Sequence, residues 1–202
     1  MAHCTDITTT LTRPQRETER ILAETLKLPT GDPGRRTCLK RAAVALACDM
    51  AVADRRLHST VRRYVPGGDR LVRQQAMDLI RAEETMKDLE YTDTGSGSGP
   101  FEPLVRHLIT TVHRHGEQFE TAVLPPLRSA APPEALARLA DAVHEVEVEA
   151  AALRDEVEHS PRPDVIDRLQ AALAPENAPT SAFRQAEQLD RFLTGEAEQT
   201  DL

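Results

Sequence analysis

Between Arg35 and Tyr64 the series Leu39, Ala42, Leu46, Asp49, Ala53, Leu57, Val61 advances by threes and fours. Such a series lies along one face of an α-helix and along no single face of a strand. The same step returns in Val72, Ala76, Leu79, Glu83, Met86, and again in Phe101, Val105, Leu108, Val112, His115, Phe119, Ala122. It recurs once more in Leu136, Leu139, Val143, Val146, Ala150, Leu153, Val157. With aromatic residues at 3% and little clustering of β-branched side chains, this patterning predicts an all-α chain.

The breaks between these stretches set the organisation. Thr12-Arg13-Pro14-Gln15 reads as a capping box, with Thr12 as N-cap and a first helix whose face carries Thr18, Ile21, Leu22 and Leu26. Ile7 and Leu11 would extend it backwards through a kink at Pro14. Pro29 to Gly34 is a turn, with Asp32 capping a second helix that begins at Pro33. Pro66-Gly67-Gly68 closes the second helix, and the Gly/Ser run inside 92–100 is a tether between the third and fourth. Pro125-Pro126 closes the fourth. Residues 1–128 therefore predict an up-down four-helix bundle. Residues 129–202 predict a C-terminal extension: a helix over 133–159, shorter ones near 164–173 and 181–193, and a polar tail. The heptad-like stripe of 133–159 buries either against the bundle or against a second copy, so a homodimer through this helix is one expectation.

Composition narrows the partners. The net charge of −8 and the absence of Trp argue against nucleic acid, which asks for basic surface and stacking rings. No apolar run approaches the ~20 residues of a membrane span. The first residues lack the basic and apolar regions of a leader, and the three cysteines (Cys4, Cys38, Cys48) have no metal-ligand spacing, so a cytoplasmic protein with reduced thiols is expected. There is no HExxH, GxSxG, phosphate-cradling glycine loop or CxxC.

Three polar residues interrupt the apolar stripes: Asp49, Glu83 and His115. A buried carboxylate needs a partner, a proton or water, and His115 is the natural partner for Asp49 if the second and fourth helices face each other. That pair is either a structural hydrogen bond across the bundle or an acid–base dyad. Glu83 reads as a stripe-edge residue near solvent. His113 lies on another face from His115, and His58, His107 and His144, set among charges, read as exposed.

Several segments together resemble the actinobacterial hemerythrin-like (HHE cation-binding) proteins. They are Arg62-Arg63-Tyr64-Val65-Pro66-Gly67-Gly68-Asp69-Arg70-Leu71, Ala82 to Glu90, and Val112-His113-Arg114-His115 through Leu124-Pro125-Pro126-Leu127-Arg128. The turn Leu28 to Pro33 and Leu193-Thr194-Gly195 fit as well, and the resemblance covers about Asp6 to Val143. It implies a four-helix bundle around a non-haem di-iron site with inward His and carboxylate ligands. At the positions where that family has ligands, this chain has Gln15 on the first helix and Asp49 and Ala53 on the second. Leu79 stands on the third, and His115 and Phe119 on the fourth. Only His115 is retained. The resemblance thus implies a bundle without the iron pair and without a cofactor.

Three functions are consistent with this reading. The first is that the emptied bundle is a small-molecule site, with Asp49 and His115 as base and acid and Gln15, Ala53, Leu79, Glu83 and Phe119 around the ligand. A carboxylate and an imidazole shielded from water suit cofactor-free isomerisation, cyclisation or elimination. The second is a non-catalytic interaction or regulatory bundle acting through its C-terminal helices. The third is a residual single-metal protein using Asp49, His115 and Gln15.

Overall fold

The computed structural model describes residues 7–94, 99–160 and 163–174, and every regular element in them is helical. Helix α1 (Ile7–Thr25) is followed by α2 (Gly34–Val52), which runs through a π-helical turn (Ala53–Leu57) directly into α3 (His58–Tyr64). Helix α4 (Gly68–Tyr91) comes next. Helix α5 (Phe101–Gln118) then passes through a second π turn (Phe119–Val123) into α6 (Leu124–Ala130). The C-terminal part supplies α7 (Pro133–His159) and α8 (Val165–Leu173). The expected helix over 181–193, the polar tail, Cys4 and the central glycines and serines of the tether lie outside the described residues.

Local chemistry explains the ends. Asp32 Oδ1 accepts the Gly34 N–H at 2.7 Å, so the predicted acidic cap of the second helix forms. Gly67 sits at φ 71° before α4, and a Cβ on Gly68 would lie 2.4 Å from the Val61 carbonyl oxygen. The sharp α3–α4 corner therefore requires the Gly-Gly pair. Three basic side chains cap helix C-termini across the fold. Arg36 donates to the Glu90 and Thr92 carbonyls, Lys40 to those of Glu158 and Ser160, and Arg55 to that of Leu173.

Helix α1 packs against α2 and α5, α4 packs against α5, and α7 and α8 lie on α2. One apolar core runs through all of them, from Leu11 on α1 to Leu173 on α8. The α7 stripe is buried within the chain at Leu139, Val143, Val146, Ala150 and Val157, leaving Val148 as the large apolar side chain exposed on that helix. Most of the stripe is thus covered intramolecularly, with Val148 exposed and Leu136 and Leu153 half-buried. No helix among them is long and apolar enough to cross a membrane.

Four expectations are corrected. Thr12 is not the N-cap of the first helix: the expected extension back through Leu11 and Ile7 is the form taken, the helix running from Ile7, and the Thr12 hydroxyl donates to the Thr8 carbonyl at 3.0 Å. Pro14 is carried inside the helix, where it forgoes a single N–H. The fourth helix does not stop at Pro125-Pro126: the backbone stays helical through the π turn and these prolines stand at the first positions of α6. Ala122 is exposed and Val123 is buried in its place, since the π turn adds a residue and rotates the stripe. His58 is buried rather than exposed, for the same reason on the other helix.

Candidate functional site

Gln15 from α1, Asp49 from α2 and His115 from α5 meet inside the core, and none is more than 5% exposed. The Gln15 Nε2 amide donates to Asp49 Oδ1 at 3.2 Å and lies 3.4 Å from His115 Nε2. His115 Nε2 stands 3.2 Å from Asp49 Oδ2. Two lone pairs at that separation repel, so a proton on the imidazole nitrogen or on the carboxyl is what makes the approach attractive. The three residues form one small network sharing hydrogens, closed off from bulk water.

Two matched irregularities frame it. The Ala53 N–H bonds both the Asp49 and Met50 carbonyls, and the Phe119 N–H bonds both the His115 and Gly116 carbonyls. One turn later the ladders widen: His58 N–H reaches the Ala53 carbonyl and Leu124 N–H that of Phe119. Each π turn thus starts four residues beyond a polar member of the network. Such turns are rare and concentrate at functional sites.

The first π turn carries His58 inward. A π-helical step of five residues puts His58 under Ala53, and it is 6% exposed. Burial, then the nearby charges of Arg62 and His115, push its imidazole down to about 4, with Asp49 pulling weakly the other way. His58 Nδ1 lies 3.8 Å from Asp54 Oδ1, while its Nε2 has no partner in the structure. Sequence reasoning placed this residue outside because its neighbours Asp54, Arg55, Arg56, Arg62 and Arg63 are charged.

The network is incompletely satisfied. Gln15 Oε1 and His115 Nδ1 are buried without a hydrogen-bond partner, as is His58 Nε2. Each such atom costs about 1–3 kcal/mol unless a bound group or water meets it.

The remaining predicted residues divide. Ala53 and Phe119 are buried at the starts of the two π turns, on the helices that carry Asp49 and His115. Leu79 on α4 is packed in the common core. Glu83 is not near solvent: it is buried and meets Lys87 Nζ at 2.7 Å, which in turn reaches Asp167 of α8 at 2.9 Å. A flanking cation explains how that carboxylate is tolerated inside, and it ties α4 to α8. Burial opposes the charge on Lys87, yet the Glu83 and Asp167 carboxylates raise its pKa above the usual lysine value.

Two further buried acids were missed. Asp78, 0% exposed, accepts from Arg114 of α5 at 2.7 Å and is approached by Arg81 at 3.4 Å. Glu90 accepts the Ile166 N–H at 2.8 Å and so caps α8 from a neighbouring helix. Burial raises the Glu90 carboxyl to about 7, against the lowering effect of that hydrogen bond. Arg81, three residues beyond Asp78 on the same helix, is the sequence cue to that acid.

The iron pair implied by the family resemblance does not fit these side chains. Ala53, Leu79 and Phe119 bring no donor atom, and the Gln15 amide presents its N–H hydrogens, not its oxygen, to Asp49. Among the described residues no three His, Cys, Asp or Glu side chains converge in a metal-holding group. No family model, curated protein or solved structure matches the chain.

Proposed function

We propose that the chain is a metal-free hemerythrin-like protein, an up-down four-helix bundle with added C-terminal helices, that binds a small molecule at Gln15, Asp49 and His115. In this reading Asp49 takes a proton from the bound molecule and His115 returns one elsewhere on it. The reaction class is a cofactor-independent isomerisation, cyclisation or elimination. Gln15 orients the ligand with its amide.

The observation that carries the reading is the meeting of a carboxylate, an imidazole and an amide from three helices at 3.2–3.4 Å in the core, with Gln15 Oε1 and His115 Nδ1 left unpartnered. A purely structural network would be expected to close on itself, because buried polar atoms pair almost always. Here hydrogen-bonding capacity is left over. The framing π turns add to the case. Proton transfer between positioned groups shielded from water needs no cofactor.

The test is retention of a ligand. The full chain is incubated with a cellular metabolite extract, passed through gel filtration and denatured, and the released molecules are identified by mass spectrometry. The expected result is a compound carried by the unaltered chain and lost by both Asp49→Asn and His115→Gln, with each variant still folded by circular dichroism. A compound set identical in all three proteins would refute the reading and favour the alternative, a non-catalytic interaction bundle.

A further inference from the structure

A second polar site lies on the opposite faces of α1 and α2, where α7 crosses them. Arg13, Pro14, Glu17 and Ile21 form one face of α1; Arg41, Val44, Ala45 and Cys48 one face of α2; and Glu147, Ala150 and Arg154 one face of α7. Together they enclose a cavity of about 300 Å³. That is at the lower end of small-molecule sites, and about ten times a water molecule's share of liquid volume. The floor is apolar: Ile21, Val44, Ala45, Cys48 and Ala150 line it. Burial, with the charges of Glu147 and Asp49, pushes the Cys48 thiol up to about 12, so it stays neutral and belongs to that apolar floor.

The charges around the floor do not balance. Arg13 pairs with Glu147 through both carboxylate oxygens, and Glu17 is held by Arg20 at 2.6 Å. Both acids of the cavity wall are therefore engaged. Arg41, half-buried, and Arg154, at the rim, form no hydrogen bond or ion pair among the described residues. The lining thus carries three guanidinium groups against two carboxylates; Arg20 first, and Arg41 and Arg154 through space, hold the Glu17 carboxyl below its usual value, and one positive charge is left over in a chain whose net charge is −8. Half-buried Arg41 and rim-exposed Arg154 therefore have room for a closer counter-ion, and a planar, two-oxygen anion is what guanidinium groups bind best. The lining offers no free helix N-terminus or glycine loop to cradle a phosphate, whereas the apolar floor asks for a hydrocarbon body.

We infer that this cavity binds a small organic acid, its carboxylate held by Arg41 and Arg154 and its apolar body laid on Ile21, Val44, Ala45, Cys48 and Ala150. The site shares no residue with the interior network and stands whether or not that network is catalytic. Gln15 and Asp49 follow Pro14 and Cys48 in the chain but turn their side chains to the other side of the same helices.

A ligand-observed NMR titration of the full chain tests it, with hexanoate, hexan-1-ol and inorganic phosphate as probes. Hexanoate is expected to bind, with hexan-1-ol at least about tenfold weaker and phosphate weaker still. Arg41→Gln and Arg154→Gln should each weaken hexanoate about tenfold while leaving the melting temperature nearly unchanged. Ala45→Leu should fill the floor and weaken it further, and Asp49→Asn should leave it as it is. No hexanoate binding, equal binding of the alcohol, or unchanged binding in both arginine variants would overturn the assignment. So would phosphate binding as tightly as hexanoate, which would mean a bare anion patch.

Discussion

The inner and outer faces of α1 and α2 solve the burial of polar groups in different ways. Inside, Gln15, Asp49 and His115 share hydrogens among themselves and exclude water. Outside, Arg13 and Glu17 are satisfied by Glu147 and Arg20, while Arg41 and Arg154 keep their charge facing a cavity. The difference follows from solvation. A closed core tolerates polar atoms when protons can be shared between them, whereas a cavity open to water can hold a net charge in readiness for a counter-ion. The inner site is therefore sensitive to every change of shape, and the outer one to changes of charge.

The largest effect should come from removing a wall of the inner site. Phe119 is fully buried at the start of the second π turn, and Phe119→Ala should cost about 3–5 kcal/mol in urea unfolding. His58 comes next. Its imidazole is held near 4 in the folded protein against an ordinary 6.5, so it is buried neutral. Its contribution, about 3 kcal/mol, is complete above pH 6.5 and lost as the pH falls from 6.5 towards 4. Glu90 titrates with the opposite effect over nearly the same range, so the His58 part is read as a difference: the stability of the unaltered chain relative to His58→Gln should fall as the pH is lowered from 6.5 towards 4.

Asp49→Ala would leave the Gln15 amide and the His115 imidazole without their acceptor, at about 1–3 kcal/mol in the same unfolding assay. Glu90 should give a slope of opposite sign to that of His58. Its carboxyl is raised to about 7 from 4.5, so stability declines as the pH rises from 4.5 through 7, and Glu90→Gln should abolish that slope. At the outer site Arg154→Gln should shift stability by about 0.5 kcal/mol or less, because its exposed guanidinium acts on Glu17 only through space and across solvent. An outer-site change as costly as Phe119→Ala would erase the distinction between the two faces.

The sequence made much of this architecture legible. The three- and four-residue step located α4 and α7 nearly to the residue, and Asp32-Pro33 and Gly67-Gly68 marked turns that the backbone takes. Gln15, Asp49 and His115 were singled out as a group, and the fold brings them into contact. What escaped depends on the π turns, which have no residue signature of their own. An extra residue per turn moves His58 and Val123 onto the inner face, where a regular helix would show Ala122 and leave His58 among its charged neighbours. Glu83, Asp78 and Glu90 escaped for another reason. Helix α4 is contacted by α5, α2 and α8 and so buries a wider arc than one stripe, with each acid met by a group from elsewhere. The cavity on the outer face was likewise invisible, since it exists only where α7 crosses α1 and α2.

The most direct test of the central claim, that the interior holds a proton-sharing pair in place of an iron pair, is the metal content of untagged protein by plasma mass spectrometry, read with its ultraviolet-visible spectrum. The account predicts no stoichiometric metal and no absorption beyond that of the protein. A pair of irons per chain with oxo-bridge absorption would contradict it.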